Sequence, residues 1–435
     1  MALHVIGLGV AEHAFLDEAA LAALQSAKHI FGSPRQLETV RWWLSKDQEL
    51  HALPKLTDLK TQLDELLTRS ENNIALLASG DPLFYGIGKW VSQQFTDQQH
   101  KQVNFYPAIS SIQVACHRLA WALQDVDVLS LHGRPVEKLL THLSPNKKLV
   151  ILTDEQSTPQ ALAQLCVEAG YRESEISVYE ALGYPNERVT HFKVLDLLNS
   201  KAHEFTFNAL HISCLLVQGT SAYLPKFPGI PDHHFITDGL AGKGMLTKRE
   251  VRLTILSLLQ ASDRDCIWDI GAGCGGVSVE LSFWTPEAQV HAIEHHPDRL
   301  RCLKENRARF GVVSNLNIVE GRAPDILDGL PLPNKVFIGG SDGTLAPILQ
   351  QVWANLPVNG IVVASAVTEA TRLGLYQFYL ARIEQQDSVV ETIDIAVSRG
   401  SELAGELLFQ PKLPVRLFKF EKQAKLEEKS DRGLV

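Results

Sequence analysis

Short apolar runs rich in Val, Ile and Leu alternate with helix-period segments along almost the whole chain, and this alternation constrains the fold more than any other feature. In the first half the runs are LHVIGLG, NIALLASG, VNFYPA, DVLSLHG, KLVILTD and EISVYEAL; in the second they are CIWDIGAG, QVHAIEH, LNIVEG, KVFIGG and GIVVASAV. A strand that is apolar at successive positions has both faces covered, and the helices between the runs supply that cover. The class is therefore α/β. At 435 residues the chain exceeds one core, because domains cluster at roughly 100–200 residues. Periodicity breaks in YLPKFPGIPDHHF, residues 223–235, where Pro225, Pro228, Gly229 and Pro231 crowd together. The expected division is a first domain over 1–228, a second over 229–422, and a charged, solvated tail over 423–435.

In WDIGAGCGG, Gly271, Gly273 and Gly275, separated by Ala272 and Cys274, let the chain turn sharply from strand to helix. Without Cβ atoms, such a turn lets backbone N–H groups approach a ligand. A dinucleotide site favours G-x-G-x-x-G, with the helix N-terminus aimed at a pyrophosphate. Here the spacing is G-x-G-x-G behind Asp269. That form suits S-adenosylmethionine (SAM), which has no phosphate to hold and whose cationic amino-acid end faces the acidic region. An NAD-dependent dehydrogenase is disfavoured by the same spacing. The next strand ends in Glu294, 25 residues beyond Asp269, where an acid accepts both hydroxyls of a ribose. VEGRAPDIL places Ala323 where an adenine edge meets backbone, and KVFIGGSDG puts a glycine-rich loop at the carboxyl end of a fourth strand. Open α/β sheets bind their ligands at that end. Two more helix–strand units follow, and PVRLFKFEK is expected to close the sheet as an antiparallel edge strand. Seven strands in this order make the class I SAM-dependent (Rossmann-like) layout.

The first half carries a different set of turns. VIGLGVAEHAFL opens it with a glycine loop, and LLASGDPLFYGIG ends a strand in Ser79-Gly80-Asp81-Pro82. In that turn Gly80 supplies conformational freedom, Pro82 ends the pairing and Asp81 is presented at the strand end. YPAISSIQVACHRL offers Ser110 and Ser111 as a helix start. A His-Gly-Arg corner at 132–134 follows, and VYEALGYPNERVT sets Gly183 after a strand.

In this order, V-x-G-x-G, S-G-D-P, P-x-[IV]-S-S and E-x-L-G across residues 3–220 resemble the tetrapyrrole methylases. IPDHHFITDGLAGKGMLTKREVR, WDIGAG and FIGGS resemble the decarboxylating precorrin C15-methyltransferase domains. The resemblance implies a two-lobed tetrapyrrole methylase fold fused to a class I methyltransferase domain, with a SAM site in each. It places Gly9, Asp81, Leu83, Phe84, Ser110, Ser111 and Gly183 at the first site. At the second it places Thr247, Gly271, Ala272, Gly273, Cys274, Gly275, Glu294 and Ala323. The chain departs from the family in reading G-L-G-V-A where G-x-G-P-G is frequent, and in carrying Ala108 where a glycine is usual. SDG at 341–343 replaces a frequent SGG and brings Asp342 to the mouth of the second site.

The implied chemistry is methylation of a corrin precursor, metal-free or cobalt-containing, at C5 and C15, with loss of the C12 acetate carboxylate. The ring carbons are enamine-like, so the protein's main task is orientation. A polyanionic substrate calls for cations, and Arg118, Arg134, Lys248, Arg249 and Arg252 are the candidates. His295, His296 and Asp342 are candidates for proton handling. The net charge of −9 argues against a general nucleic-acid partner. An RNA methyltransferase with an accessory first domain, and a tetrapyrrole carrier that binds no SAM, are the alternatives. The six cysteines stand singly, without C-x-x-C or a histidine at ligand spacing, so neither a metal site nor a disulfide frame is expected. No export signal or membrane span is apparent. A cytoplasmic protein that self-associates through its second domain is the expectation.

Overall fold

The chain's apolar runs become the strands of three sheets, one all-parallel and two mixed. The computed structural model describes residues 2–69, 72–95, 103–199, 205–239 and 244–424. Most of the expected tail lies outside these residues. The chain divides into two compact units, Met1–Val136 with Leu143–Thr220 and Glu137–His142 with Ser221–Val435. The main division thus falls at Thr220, a few residues ahead of the proline-rich stretch.

The first unit contains two five-stranded sheets. One is built from β1 (Leu3–Gly7), β2 (Ala27–Gly32), β3 (Glu49–Ala52), β4 (Asn73–Ala78) and β5 (Val103–Tyr106), in the order β3-β2-β4-β1-β5. All its pairings are parallel. Every residue of β1 is buried, as a central parallel strand requires. Separate clusters cover its faces, one including Ile6, Leu24 and Leu77 and the other Val5, Leu63 and Leu76. The second sheet comprises β6 (Val126–Ser130), β7 (Lys148–Leu152), β8 (Glu175–Glu180), β9 (Arg188–Lys193) and β10 (His211–Leu216), ordered β6-β7-β10-β8-β9. Only β6 and β7 run parallel here; the remaining pairs are antiparallel. Helix Ser111–Arg118 starts with a capping box in which Ser110 Oγ accepts from the Gln113 N–H at 3.3 Å and Gln113 Oε1 accepts from the Ser110 N–H at 2.8 Å. Ser33 and Gln36 cap helix Pro34–Val40 in the same way.

The second unit holds a seven-stranded sheet. Its members are β11 (Cys266–Ile270), β12 (Gln289–Glu294), β13 (Leu316–Glu320), β14 (Lys335–Ile338), β15 (Ile361–Ala366), β16 (Ser388–Ile395) and β19 (Val415–Lys422). The order is β13-β12-β11-β14-β15-β19-β16. A hairpin, β17 (Ser398–Leu403) with β18 (Glu406–Pro411), interrupts the path between β16 and β19. The expected closing strand is antiparallel, as foreseen, but it is not the edge. β19 inserts between β15 and β16. Leu417, Phe418 and Phe420 are buried, so consecutive positions need cover on both faces, and the half-exposed, alternating β16 takes the edge. Among the described residues no helix is long and apolar enough to cross a membrane.

Arg252, expected to face a substrate, instead lies fully buried on helix Arg249–Leu259. Its Nε donates to Glu280 Oε1 at 2.6 Å, its Nη1 to Asp232 Oδ1 at 3.2 Å and to the Thr247 carbonyl at 2.5 Å, and its Nη2 to the Ile230 carbonyl. Glu280, equally buried, accepts from the backbone N–H groups of Gly229 and Ile230 at 2.7 and 3.0 Å. One guanidinium thus ties the lead-in segment 229–232 to two helices. Arg252→Met leaves Glu280 charged without its partner, and removing one member of a buried pair costs about 3–5 kcal/mol. Denaturant unfolding should show that loss in the second unit's transition, and a change below about 1 kcal/mol would be incompatible with this role.

Candidate functional sites

Each unit carries a cavity at the carboxyl ends of its parallel strands. In the first unit the cavity measures about 460 Å³ and is reached from the turns after β1 and β4. Gly9 and Gly80 meet there as an isolated antiparallel bridge. Of the expected residues, Gly9, Phe84, Ser110 and Ser111 line it. Asp81 does not line it but shapes it: Oδ1 accepts from the N–H groups of Leu83 and Phe84 at 2.8 and 3.0 Å. That turn brings Phe84 to the wall and leaves the Leu83 side chain in solvent. Gly183 also works from behind the wall. With φ at +80°, a Cβ there would lie 2.3 Å from the Val10 carbonyl oxygen, so only glycine lets this turn press against the opening loop. Arg118 and Arg134 lie off the wall; Arg118 pairs with Glu187 at 3.5 Å, and Arg134 donates to the Ser130 carbonyl at 3.3 Å.

Among the described residues, the Arg or Lys that does line this cavity is Arg35, which the sequence reading missed. Its Nη2 donates to Ser79 Oγ at 3.2 Å and its Nη1 to Tyr184 Oη at 3.4 Å. Gln36 donates to the same Ser79 oxygen at 3.0 Å while closing its helix cap. The only sequence signal was the Ser-Pro-x-Gln cap, which places Arg35 in a first helical turn at a strand end. The lining residues Thr153 and His211 were missed as well. The histidine's Nδ1 sits 2.7 Å from the Asn208 carbonyl and its Nε2 2.9 Å from Thr153 Oγ1. A carbonyl only accepts, so Nδ1 is the donor to Asn208. Tyr179, beside them, has its phenol pushed up to about 12, first by burial.

The second cavity, about 310 Å³, is ringed by the carboxyl ends of β11, β12, β13, β14 and β15. Of the expected residues, Thr247, Lys248, Gly271, Ala272, Gly273, Glu294, His295, Ala323 and Asp342 line it. Gly273 has φ of +60°, and a Cβ would come within 2.6 Å of the Met245 carbonyl oxygen. Glu294 is buried and anchors the loop: Oε2 accepts from the Gly273 N–H at 2.9 Å, and Oε1 from the His295 and His296 N–H groups at 2.8 Å each. A carboxylate offers about four acceptor positions, so one remains for a ligand hydroxyl. With the bare glycine turn and a volume in the usual range of ~300–1,000 Å³ for small-molecule sites, these residues fit the adenosine end of SAM.

Besides the buried Arg252, four expected residues stand outside this wall. Cys274 is buried with Sγ 3.5 Å from Asp238 Oδ1. Gly275 packs against Leu303 and Arg249 pairs with Glu250 at 3.4 Å. His296 uses its backbone on Glu294, while its Nδ1 is buried without a hydrogen-bond partner among the described residues. At the mouth, His295 Nε2 lies 3.2 Å from Asp342 Oδ2 and 3.2 Å from Arg322 Nη2. Arg322 and Arg299 are lining cations that the sequence reading missed; Arg299 is held by Asp238 at 3.3 Å.

Asp269 does not line the cavity, contrary to the idea that it faces a cationic ligand end. It is wholly buried under the loop, with Oδ2 accepting from Ser278 Oγ and Oδ1 without a hydrogen-bond partner among the described residues. Burial pushes its carboxyl up to about 7, with Glu294 adding to the shift.

Two units, each with a ligand cavity at the carboxyl ends of parallel strands and a glycine turn in its wall, are each matched by a methyltransferase family model, and the chain is a tandem of methyltransferase domains. Tetrapyrrole (corrin/porphyrin) methylases match residues 2–198, and the precorrin methyltransferase domain matches residues 238–422. A precorrin-6Y C(5,15)-methyltransferase [decarboxylating] from Sinorhizobium sp is 32% identical over 95% of this chain and 94% of its own length. One from Mycobacterium tuberculosis is 30% identical over 86% and 90%, and a cobalt-precorrin-7 C(5)-methyltransferase from Salmonella typhimurium is 30% identical over 48% and 98%. The chain belongs to the family of decarboxylating precorrin-6Y C(5,15)-methyltransferases. Enzymes of this class use SAM.

Because Asp269 titrates near 7 when folded and near 3.8 when unfolded, the folded state keeps a proton that the unfolded chain loses between those values. Its contribution to stability is therefore complete below the lower value and lost as pH rises to about 7. Asp269→Asn should flatten this decline in unfolding free energy measured from pH 4 to 7; an unchanged slope would mean that the buried acid is ionised throughout.

Proposed function

We propose that the chain methylates precorrin-6B, or its cobalt form, at C5 in the first unit and at C15 in the second. The second unit also releases the C12 acetate carboxylate. The observation that carries this reading is the presence in each unit of its own strand-end cavity, one of about 460 Å³ and one of about 310 Å³. SAM, when bound, supplies an electrophilic methyl group in either cavity.

The chain's own residues bind and orient. In the first cavity Arg35 offers a planar fork to a substrate carboxylate, and the hydrogen-bonded His211–Thr153 pair and the Tyr179 hydroxyl make the wall polar. In the second, Glu294 accepts one ligand hydroxyl, while the lining cations Lys248 and Arg322 attract carboxylate arms. His295, between Asp342 and Arg322, is placed to hold or pass a proton at Nε2. Orientation of reacting atoms is the main rate term for such a transfer; decarboxylation further needs an electron sink, which the conjugated ring provides.

Self-association through the second unit belongs to the same reading. The β17–β18 hairpin leaves Leu403, Leu407 and Phe409 more than 60% exposed, which a second copy would cover. Six free cysteines fit a reducing, cytoplasmic setting.

Calorimetric titration with SAM should find two sites, with one lost in Ser111→Trp and the other in Gly273→Arg. Mass spectrometry of the Gly273→Arg product should show one added methyl and the acetate carboxylate retained. A single site in the unsubstituted chain would sink the two-site reading. In sedimentation, the chain should run larger than its 48.2 kDa monomer, and Leu407→Glu with Phe409→Glu should shift it downward; a monomer before substitution would remove the self-association proposal.

A further inference from the structure

We propose that His29, Glu49 and His51, on the edge of the first unit's parallel sheet, form a binding site for a zinc ion. These residues take no part in either cavity. The pairing of β2 with β3 sets His29 opposite Glu49 and Phe31 opposite His51. Strand side chains repeat on one face every second residue, so all four share a face. On its other side β2 skips Lys28 in its register with β4. Such bulges re-aim neighbouring side chains.

The distances fit one ion. His29 Nδ1 lies 3.2 Å from His51 Nε2 and 3.3 Å from Glu49 Oε2. Ligand atoms placed 2.0–2.1 Å from a tetrahedral zinc are separated by about 3.3–3.4 Å. All three ligating atoms lie within 4.8 Å of one another. Small side-chain rotations therefore convert a mutual contact into a coordination set. Among the described residues this is the one group of three or more His, Cys, Asp and Glu side chains that satisfies that closeness. Its donors, two imidazoles and a carboxylate, are those of zinc sites that keep a fourth position for water.

The surroundings hold the ligands in place. His51 stacks on Phe31 with ring centres 4.6 Å apart and planes 17° apart. His29 is 12% exposed and Glu49 55% exposed, so the ion would enter from the solvent side. Lys28 Nζ stands 3.9 Å from the other carboxylate oxygen, Oε1, and leaves Oε2 facing the histidine. β3 is a four-residue edge strand; an ion joining β2 to β3 would clip it to the sheet.

The test is calorimetric titration of the full chain with zinc chloride in excess magnesium, alongside His51→Ala and Glu49→Gln. Glu49 is exposed enough for its variant to fold normally. The expected result is one saturable site in the unsubstituted chain, lost in His51→Ala and weakened at least about tenfold in Glu49→Gln, with zinc raising the melting temperature only where it binds. Absence of a saturable site, or uptake that survives both substitutions unchanged, would overturn the proposal.

Discussion

The second unit depends on one buried guanidinium. Arg252 and Glu280 are both removed from water, and the attraction between such charges offsets their desolvation only when the remaining donors and acceptors are satisfied. They are satisfied here by Asp232, by the Thr247 and Ile230 carbonyls, and by the Gly229 and Ile230 N–H groups. The consequence reaches the cavity, since Thr247 holds Arg252 through its carbonyl and lines the ligand wall. A residue type suited to substrate carboxylates is spent on fastening the segment that leads into the domain.

A similar division between surface and support runs through both cavities. Glu294 reaches ligand space, but most of its acceptor capacity holds the glycine turn and the start of the next loop. Asp269, one strand away, is protected from the ligand and works from beneath. In the first unit Asp81 and Gly183 build turns whose neighbours line the wall. Motif residues of this kind are constrained by backbone geometry, and the chemistry is left to side chains they position.

The glycine turns, Glu294 and Ala323 were legible because a strand–turn–helix unit is local: spacing along the chain is spacing in space. Arg35, Thr153, His211 and Arg322 were not, since each reaches its cavity from a segment whose own pattern is an ordinary helix start, strand end or loop. The strands AKHIFG and ELHA escaped the apolar-run reading for a related reason. Their polar side chains, His29, Glu49 and His51, lie on a partly open face near the sheet's edge, so the buried run is cut to three residues in the first and is absent from the second.

The sequence by itself determined the α/β class, the two-domain order, the methyltransferase turns and most of the second cavity's glycine loop, because these follow from periodicity and from residues adjacent in the chain. Tertiary structure alone decided that Arg252 is interior, that β19 sits inside its sheet and that Arg35 and Arg322 face the cavities. It also brought together two histidines 22 positions apart. Each of those outcomes depends on which distant segments share a face, and pairing between strands carries that information where spacing along the chain does not.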